Sequence, residues 1–259
     1  MPNVGIARLS VEHRANRSVV VSQYSQAPLQ LHTPLYLDGA SHPTMFLRSP
    51  SAGFLDGDEH RLHVEILDGA ALELRTQAAA LIYPGHSEQH IAVNIACGGK
   101  LLFHPHPLIL TNDADFVQRI RINLQGDAQL NFCDSWSCGR VAMDERWRFK
   151  RFDNQVEIYR DEKILYRERA VIEPAVQNTQ SIVLCDRHNF FSTRFLIGAA
   201  KSDCDSSRAQ FEGKEIDDSG SIQNQELLSP DNSTSHLWRS RRGDAIVERY
   251  AGIRLRENL

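Results

Sequence analysis

Long apolar runs are missing from this 259-residue chain. The longest, such as residues 78–83 (AAALIY), fall far short of the roughly 20 apolar residues that cross a bilayer as a helix. The opening MPNVGIARLSVEHRANRS puts no apolar stretch behind its charges, so no secretory leader is expected. Cysteine is scarce and odd in number: Cys97, Cys133, Cys138, Cys185 and Cys204 contain no CxxC pair. That excludes a disulfide framework and fits reduced thiols in a cytoplasmic protein. The glycosylation-like triplets at Asn16 and Asn232 then carry no meaning. Charge of one sign is also lacking, with 29 basic against 33 acidic residues, so nothing draws the chain to nucleic acid or anionic membrane. Walker, GxGxxG, GxSxG and HExxH signatures are absent, which removes the usual grounds for proposing a nucleotide enzyme, hydrolase or zincin.

What is present is alternation. Leu62, Val64 and Ile66 interleave with Arg61, His63 and Glu65. Ile91, Val93, Ile95 and then Ile120, Ile122, Leu124 repeat the pattern. Successive side chains of a strand point to opposite faces, so these are half-buried strands.

The strands recur as a unit. VEILDGAALEL begins at Val64, VNIACGGKLLF at Val93 and INLQGDAQLNF at Ile122, a spacing of 29 residues both times. A looser fourth copy, VEIYRDEKILY, begins at Val156. Each reads strand, tight turn, strand, with Gly69, Gly98 or Gly126 able to supply the positive φ of a tight turn. A fixed period of this length signals stacked repeats, with chance recurrence in an all-β chain as the plainer alternative. The expectation is one all-β domain over 1–259, a solenoid- or sandwich-like body with one or two short helices near the C-terminus.

Other segments follow the same logic. Residues 19–24, 182–185 and 191–197 read as strands, and Trp147, Phe149 and Phe152 as an aromatic, basic strand. Its alternation with Arg146, Arg148 and Lys150 puts bases on a solvated face, against a nucleic-acid surface. Residues 201–236 are polar and read as a long exposed loop, with a short helix over 223–228. Residues 244–256 place Ile246, Val247, Tyr250, Ile253 and Leu255 at near-helical spacing behind Asp244 as N-cap, predicting a terminal helix.

The eleven histidines raise metal chemistry. His60 and His63 flank a strand start, and His86 and His90 read as loop residues. His104 and His106 bracket Pro105 and share a face if extended, with Asp113 or Asp115 near in sequence. Imidazole with carboxylate suits Ni²⁺, Cu²⁺ or Zn²⁺, so a small β-sandwich metalloenzyme using His104 and His106 is one reading. Pro105 and Pro107 favour an edge or loop, where histidines are commonly solvated, and no tightly bound cofactor is expected. Cys133 and Cys138, five apart, face opposite sides and read as core fillers.

Several phrases, in order, resemble one family. Gln26-Ala27-Pro28-Leu29 with Pro34-Leu35-Tyr36 is similar to "QAPL…PLY", and residues 49–58 (SPSAGFLDGD) to "NPSGGLLGGD". Thr76-Gln77-Ala78-Ala79 resembles "TTQAATKVY", and residues 102–109 resemble "EWLPQPLILF". Gly139-Arg140-Val141 with Glu145-Arg146-Trp147 is similar to "GRxxxGERW". These belong to the urease accessory protein UreD (UreH) family. The chain departs from the pattern at Ser51, Ala52, Asp56, Asp144, His104 and residues 80–82, and the likeness thins beyond Pro174.

The resemblance implies a non-enzymatic, β-rich scaffold. It would bind urease apoprotein, recruit UreF and through it the GTPase UreG, and serve nickel insertion, with nickel as cargo along an internal passage. Such a passage calls for several weak polar contacts rather than one tight cage. The candidate partner or passage residues are Asp56, Asp58, Glu65, His104, Asp134, Arg140, Glu145 and Glu157.

Overall fold

A computed structural model describes residues 3–51, 53–177, 188–198, 225–228 and 234–252. The alternating segments form strands. β1 (Asn3–Arg14) and β2 (Arg17–Gln26) make a hairpin; β3 (Gln30–Leu31) and β4 (Thr44–Arg48) follow. Then the chain coils. β5 (Gly53–Phe54) leads to β6 (Asp58–Ile66), β7 (Ala71–Thr76) and β8 (Ala80–Ile82). Next come β9 (Gly85–Ile95), β10 (Lys100–His104) and β11 (Leu108–Leu110), then β12 (Ala114–Leu124) and β13 (Gln129–Ser137). β14 (Arg151–Arg160) and β15 (Lys163–Ile172) complete the first sheet, whose order is β15-β14-β12-β9-β6-β1-β2. β4, β7, β10 and β13 lie parallel in a second sheet, with β5, β8 and β11 as a short parallel wing.

The 29-residue period is the pitch of this coil. Val64, Val93 and Ile122 stand side by side on β6, β9 and β12, and Leu74, Phe103 and Phe132 on β7, β10 and β13. Between the two strands of each rung a four-residue turn closes through Ala70 N–H to Leu67 O, Gly99 N–H to Ala96 O and Ala128 N–H to Gln125 O. Neighbouring turns are tied together as well. Gly69 N–H donates to Cys97 O, Gly98 N–H to Asp127 Oδ1 at 2.6 Å and Gly126 N–H to Asp161 Oδ1 at 2.9 Å.

The fourth copy breaks the pattern. Ile158, not Val156, stands opposite Ile122, and β15 runs antiparallel to β14 instead of crossing to the second sheet. Asp161 and Glu162 have φ of +48° and +65°, and two consecutive positive φ values make a tight hairpin where the rung turns have one.

Two apolar clusters fill the interior. The larger joins Leu62, Val64, Ile66, Ile91, Ile120 and Val156 of the first sheet to Leu72, Leu74, Leu101 and Leu130 of the second. Phe103, Phe132 and Phe195 stack through it with ring centroids 5.5 and 5.8 Å apart. The smaller packs Phe54, Ile82, Leu108 and Leu110 of the wing on Phe116, Phe149 and Phe152. On the outer face of the first sheet, Asp153 accepts hydrogen bonds from Arg119, Arg151 and Arg169 at 2.7–3.0 Å.

At the C-terminal side strands replace the expected helices. β16 (Phe190–Ile197) pairs with β13, β19 (Ala245–Gly252) with β16, β18 (Thr234–Arg242) with β19 and β17 (Gln225–Leu228) with β18. Asp244, read as a helix N-cap, sits instead in the β18–β19 turn beside Gly243 at φ +60°. Across the described part of 244–256 the helical spacing is overridden because both faces of β19 are covered, so apolar residues occur on both; Ile253 and Leu255 lie outside the described residues. The helix over 223–228 is corrected to β17 across its described part. The loop over 201–236 is interrupted by β17 and the start of β18, and the rest of that segment lies outside the described residues, as do residues 182–185. Residues 146–150 are irregular, with Trp147 at φ +57°, so no basic strand forms before Arg151. His86 and His90 lie in strand β9, not in a loop.

Candidate functional site: an internal polar row

Between the two apolar clusters the inward positions of the first sheet turn polar. His60, Gln89, Gln118 and Asn154 stand opposite one another on β6, β9, β12 and β14. They share the inward phase of Leu62, Ile91, Ile120 and Val156, two residues further along each strand. His60 is 1% exposed and Gln118 3%. Gln118 Nε2 donates to Gln89 Oε1 at 3.2 Å, and Asn154 Nδ2 to Asp134 Oδ2 at 2.6 Å. Asp134 reaches the row from β13, where it lies between Phe132 and Trp136 of the two clusters. Asp58 and Ser87, two residues before His60 and Gln89, are buried beside the row. Asp58 Oδ2 accepts Leu55 N–H at 2.9 Å.

Along this seam His60 Nε2, Ser87 Oγ, Gln118 Oε1 and Asn154 Oδ1 are buried without a hydrogen-bond partner. Each such atom costs about 1–3 kcal/mol unless satisfied. A line of them is the chemistry of a seam that receives water or a polar guest. At one end Gly5 faces His60 on β1, and Pro28 and Leu29 fill the space a side chain there would take. At the other, Arg249 donates to Tyr166 Oη at 2.6 Å and to Glu168 Oε2 at 2.9 Å, joining β19 to β15.

Burial decides the charge of the row. It pushes the Asp134 carboxyl up to about 6, with Glu168 adding to the rise against the Asn154 bond. It pushes His60 down to about 4, against the pull of Asp58. At neutral pH the imidazole is therefore neutral and Asp134 largely ionised.

The expected site residues divide. Asp58 and Asp134 lie on or beside the row. Glu65 is on the outer face with His63, and Glu157 is there too, held by Gln155, Tyr159 and Arg167. Asp56 Oδ1 accepts the His86 N–H at 2.8 Å in the loop before β6. Arg140 and Glu145 pair with each other in the loop after β13. His104 bonds Asn131 at 3.0 Å and His106 bonds Thr76 at 3.1 Å, so these two imidazoles do not converge. Among the described residues no group of three or more His, Cys, Asp or Glu is placed to hold a metal ion. No helix among them is long and apolar enough to cross a membrane.

Gln89, Gln118 and Asn154 are not singled out in the sequence, and His60 enters there only as one of the histidines, flanking a strand start. The signal for His60, Gln89 and Gln118 was in the period: positions 60, 89 and 118 are 29 apart and all polar, in the phase that Leu62, Ile91 and Ile120 continue with apolar residues.

Fold and row together define a class: a coiled, mostly parallel β-scaffold with polar groups threaded through its core. The family model described as "UreD urease accessory protein" matches residues 3–254, and the chain belongs to this family. It is 32% identical over 186 residues to urease accessory protein UreD 2 of Synechococcus sp. (strain JA-3-3Ab), covering 68% of each chain. It is 39% identical over 158 residues to UreD of Synechococcus sp. (strain JA-2-3B'a(2-13)), covering 61% of this chain and 57% of that protein. To UreD of Staphylococcus aureus (strain bovine RF122 / ET3-1) it is 26% identical over 192 residues, 73% of this chain and 69% of the relative.

Proposed function

We propose that this chain is a non-catalytic scaffold for urease maturation in the cytoplasm. It binds urease apoprotein, engages UreF and through it UreG, and lets nickel pass along its interior on the way to the urease active site. The observation that carries the passage is the inward-facing row from His60 through Gln89, Gln118 and Asn154 to Asp134, in which His60, Gln118 and Asp134 are buried and Gln89 and Asn154 half-buried. Strands lie about 4.8 Å apart, so a small hydrated cation can step between neighbouring side chains without being caged. Family membership supports the urease link. The alternative, a metalloenzyme using His104 and His106, draws no support from two imidazoles bonded to different partners.

The test is deletion of the gene in its host with nickel supplied, and urease activity measured with and without a plasmid copy. Lost activity restored by the plasmid is the expected result; unchanged activity in a urease-positive host would overturn the proposal.

A further inference from the structure

The row is chemically uneven. Gln89, Gln118, Asn154 and Asp134 offer it oxygen acceptors, as do Ser87 and Asp58 beside it. Oxygen donors of this kind suit Mg²⁺ and Ca²⁺ as readily as a transition metal. The single imidazole in the row is His60, in register with Gln89 and, through it, with Gln118 and Asn154. Its side chain is buried and its Nε2 has no partner. The Asp58 carboxylate, two residues away on the same face of β6, lies close enough to act on it electrostatically.

We propose that His60 is the specificity-determining residue of the internal row: its Nε2 is the nitrogen donor by which the row favours a borderline divalent cation over Mg²⁺ and Ca²⁺. The inference rests on the nickel-passage reading above and assigns the selectivity of that passage to one side chain. Imidazole nitrogen raises affinity in the order that places Ni²⁺ and Cu²⁺ high and leaves the alkaline-earth ions behind. The ring is available as a ligand because its Nε2 is buried in the row without a hydrogen-bond partner. Asp58, two residues away on the same inward face of β6, offers its carboxylate as the second donor, the rest of the coordination shell being water, which holds an ion briefly rather than trapping it.

The competing role is packing. The His60 ring lies 4.0 Å from the Phe54 ring, tilted by 36°, and an apolar residue would fill that space as well. The experiment therefore uses two variants of the full chain, His60→Leu and His60→Gln, with Ni²⁺ and Mg²⁺ as probes in calorimetric titrations at pH 7.5. Thermal unfolding serves as the control for folding. The wild type is expected to bind one Ni²⁺ that excess Mg²⁺ does not displace. His60→Leu loses that site or weakens it at least tenfold while remaining folded. His60→Gln, which keeps a polar group but offers oxygen, binds Ni²⁺ more weakly and yields it to Mg²⁺. Equal Ni²⁺ binding in the wild type and either folded variant overturns the proposal. The same alleles are then placed in the deletion host. Normal urease activation by His60→Leu under a low nickel-to-magnesium ratio also overturns it, while the maturation role stands as long as the deletion itself abolishes activity. If the deletion leaves urease untouched, the maturation reading is what has failed.

Discussion

Replacing Asp134 by Asn should make the protein more stable at neutral pH and less competent in urease activation. The Asp134 carboxyl is 7% exposed, and burial raises its pKa to about 6, against about 3.9 in an unfolded chain. A folded-state pKa above the unfolded one means that the native state holds the proton more tightly. Its contribution is thus fully present below pH 4 and disappears as pH rises through 6. Two pKa units correspond to about 3 kcal/mol, the amount by which ionised Asp134 strains the fold at pH 7.5 relative to pH 4. Asn has the same shape without the charge. Its oxygen still accepts from Asn154 Nδ2, and its amide can donate to Asn154 Oδ1, which has no partner in the wild type. Urea unfolding of both proteins at pH 4.5, 6 and 7.5 reads the difference. The variant should gain on the wild type by about 2–3 kcal/mol between the extremes, with a flatter profile. A gap that stays constant, or widens in favour of the wild type as pH rises, refutes the reasoning.

Three other outcomes are expected. Asp153→Asn strands Arg119, Arg151 and Arg169 around a neutral amide; with arginines 30–52% exposed, solvent screening holds the loss to about 2 kcal/mol by urea unfolding at pH 7. Those arginines depress the Asp153 pKa, so its stabilisation exists above pH 4 and wanes on acidification, and the variant's deficit should shrink as pH falls. Gly53→Ala puts a methyl group 1.9 Å from Leu81 O at φ +157°, and a loss of about 1–3 kcal/mol with a lowered melting temperature is expected. His104→Ala with His106→Ala should cost about 1 kcal/mol, chiefly the Asn131 bond, and leave the metal content of the purified protein unchanged; stoichiometric metal lost in that variant would revive the metalloenzyme reading.

Much of the coil was legible because its period is written twice over. The alternation of Leu62, Val64 and Ile66 sets the face, and the 29-residue recurrence of Val64, Val93 and Ile122 sets which strands touch. What failed did so where tertiary pairing overrules local spacing. Ile246, Val247 and Tyr250 fit a helix until β16 and β18 lie on either side of them. The fourth copy looked like the others because one turn differs from another only in backbone angles at Asp161 and Glu162. Of the candidate site, Asp58 and Asp134 could be picked as acids in resembling stretches. His60, Gln89 and Gln118 recur at the 29-residue period, yet a polar residue in an alternating strand looks solvated until the core closes over it, and Asn154 falls outside that period.

The hairpin at Asp161 and Glu162 also limits how many rungs the coil can add. A parallel stack offers its last strand as a template for the next, and another copy of the chain could lie there as well as a further rung. β15 occupies that edge of β14 in the opposite direction, with Lys163, Arg167 and Arg169 among its exposed residues. At the opposite end β2 does the same for β1. The parallel stack thus ends in an antiparallel strand at both ends of the sheet, so a further parallel rung finds no parallel strand to extend, and weakening either hairpin should be read first as a change in assembly size.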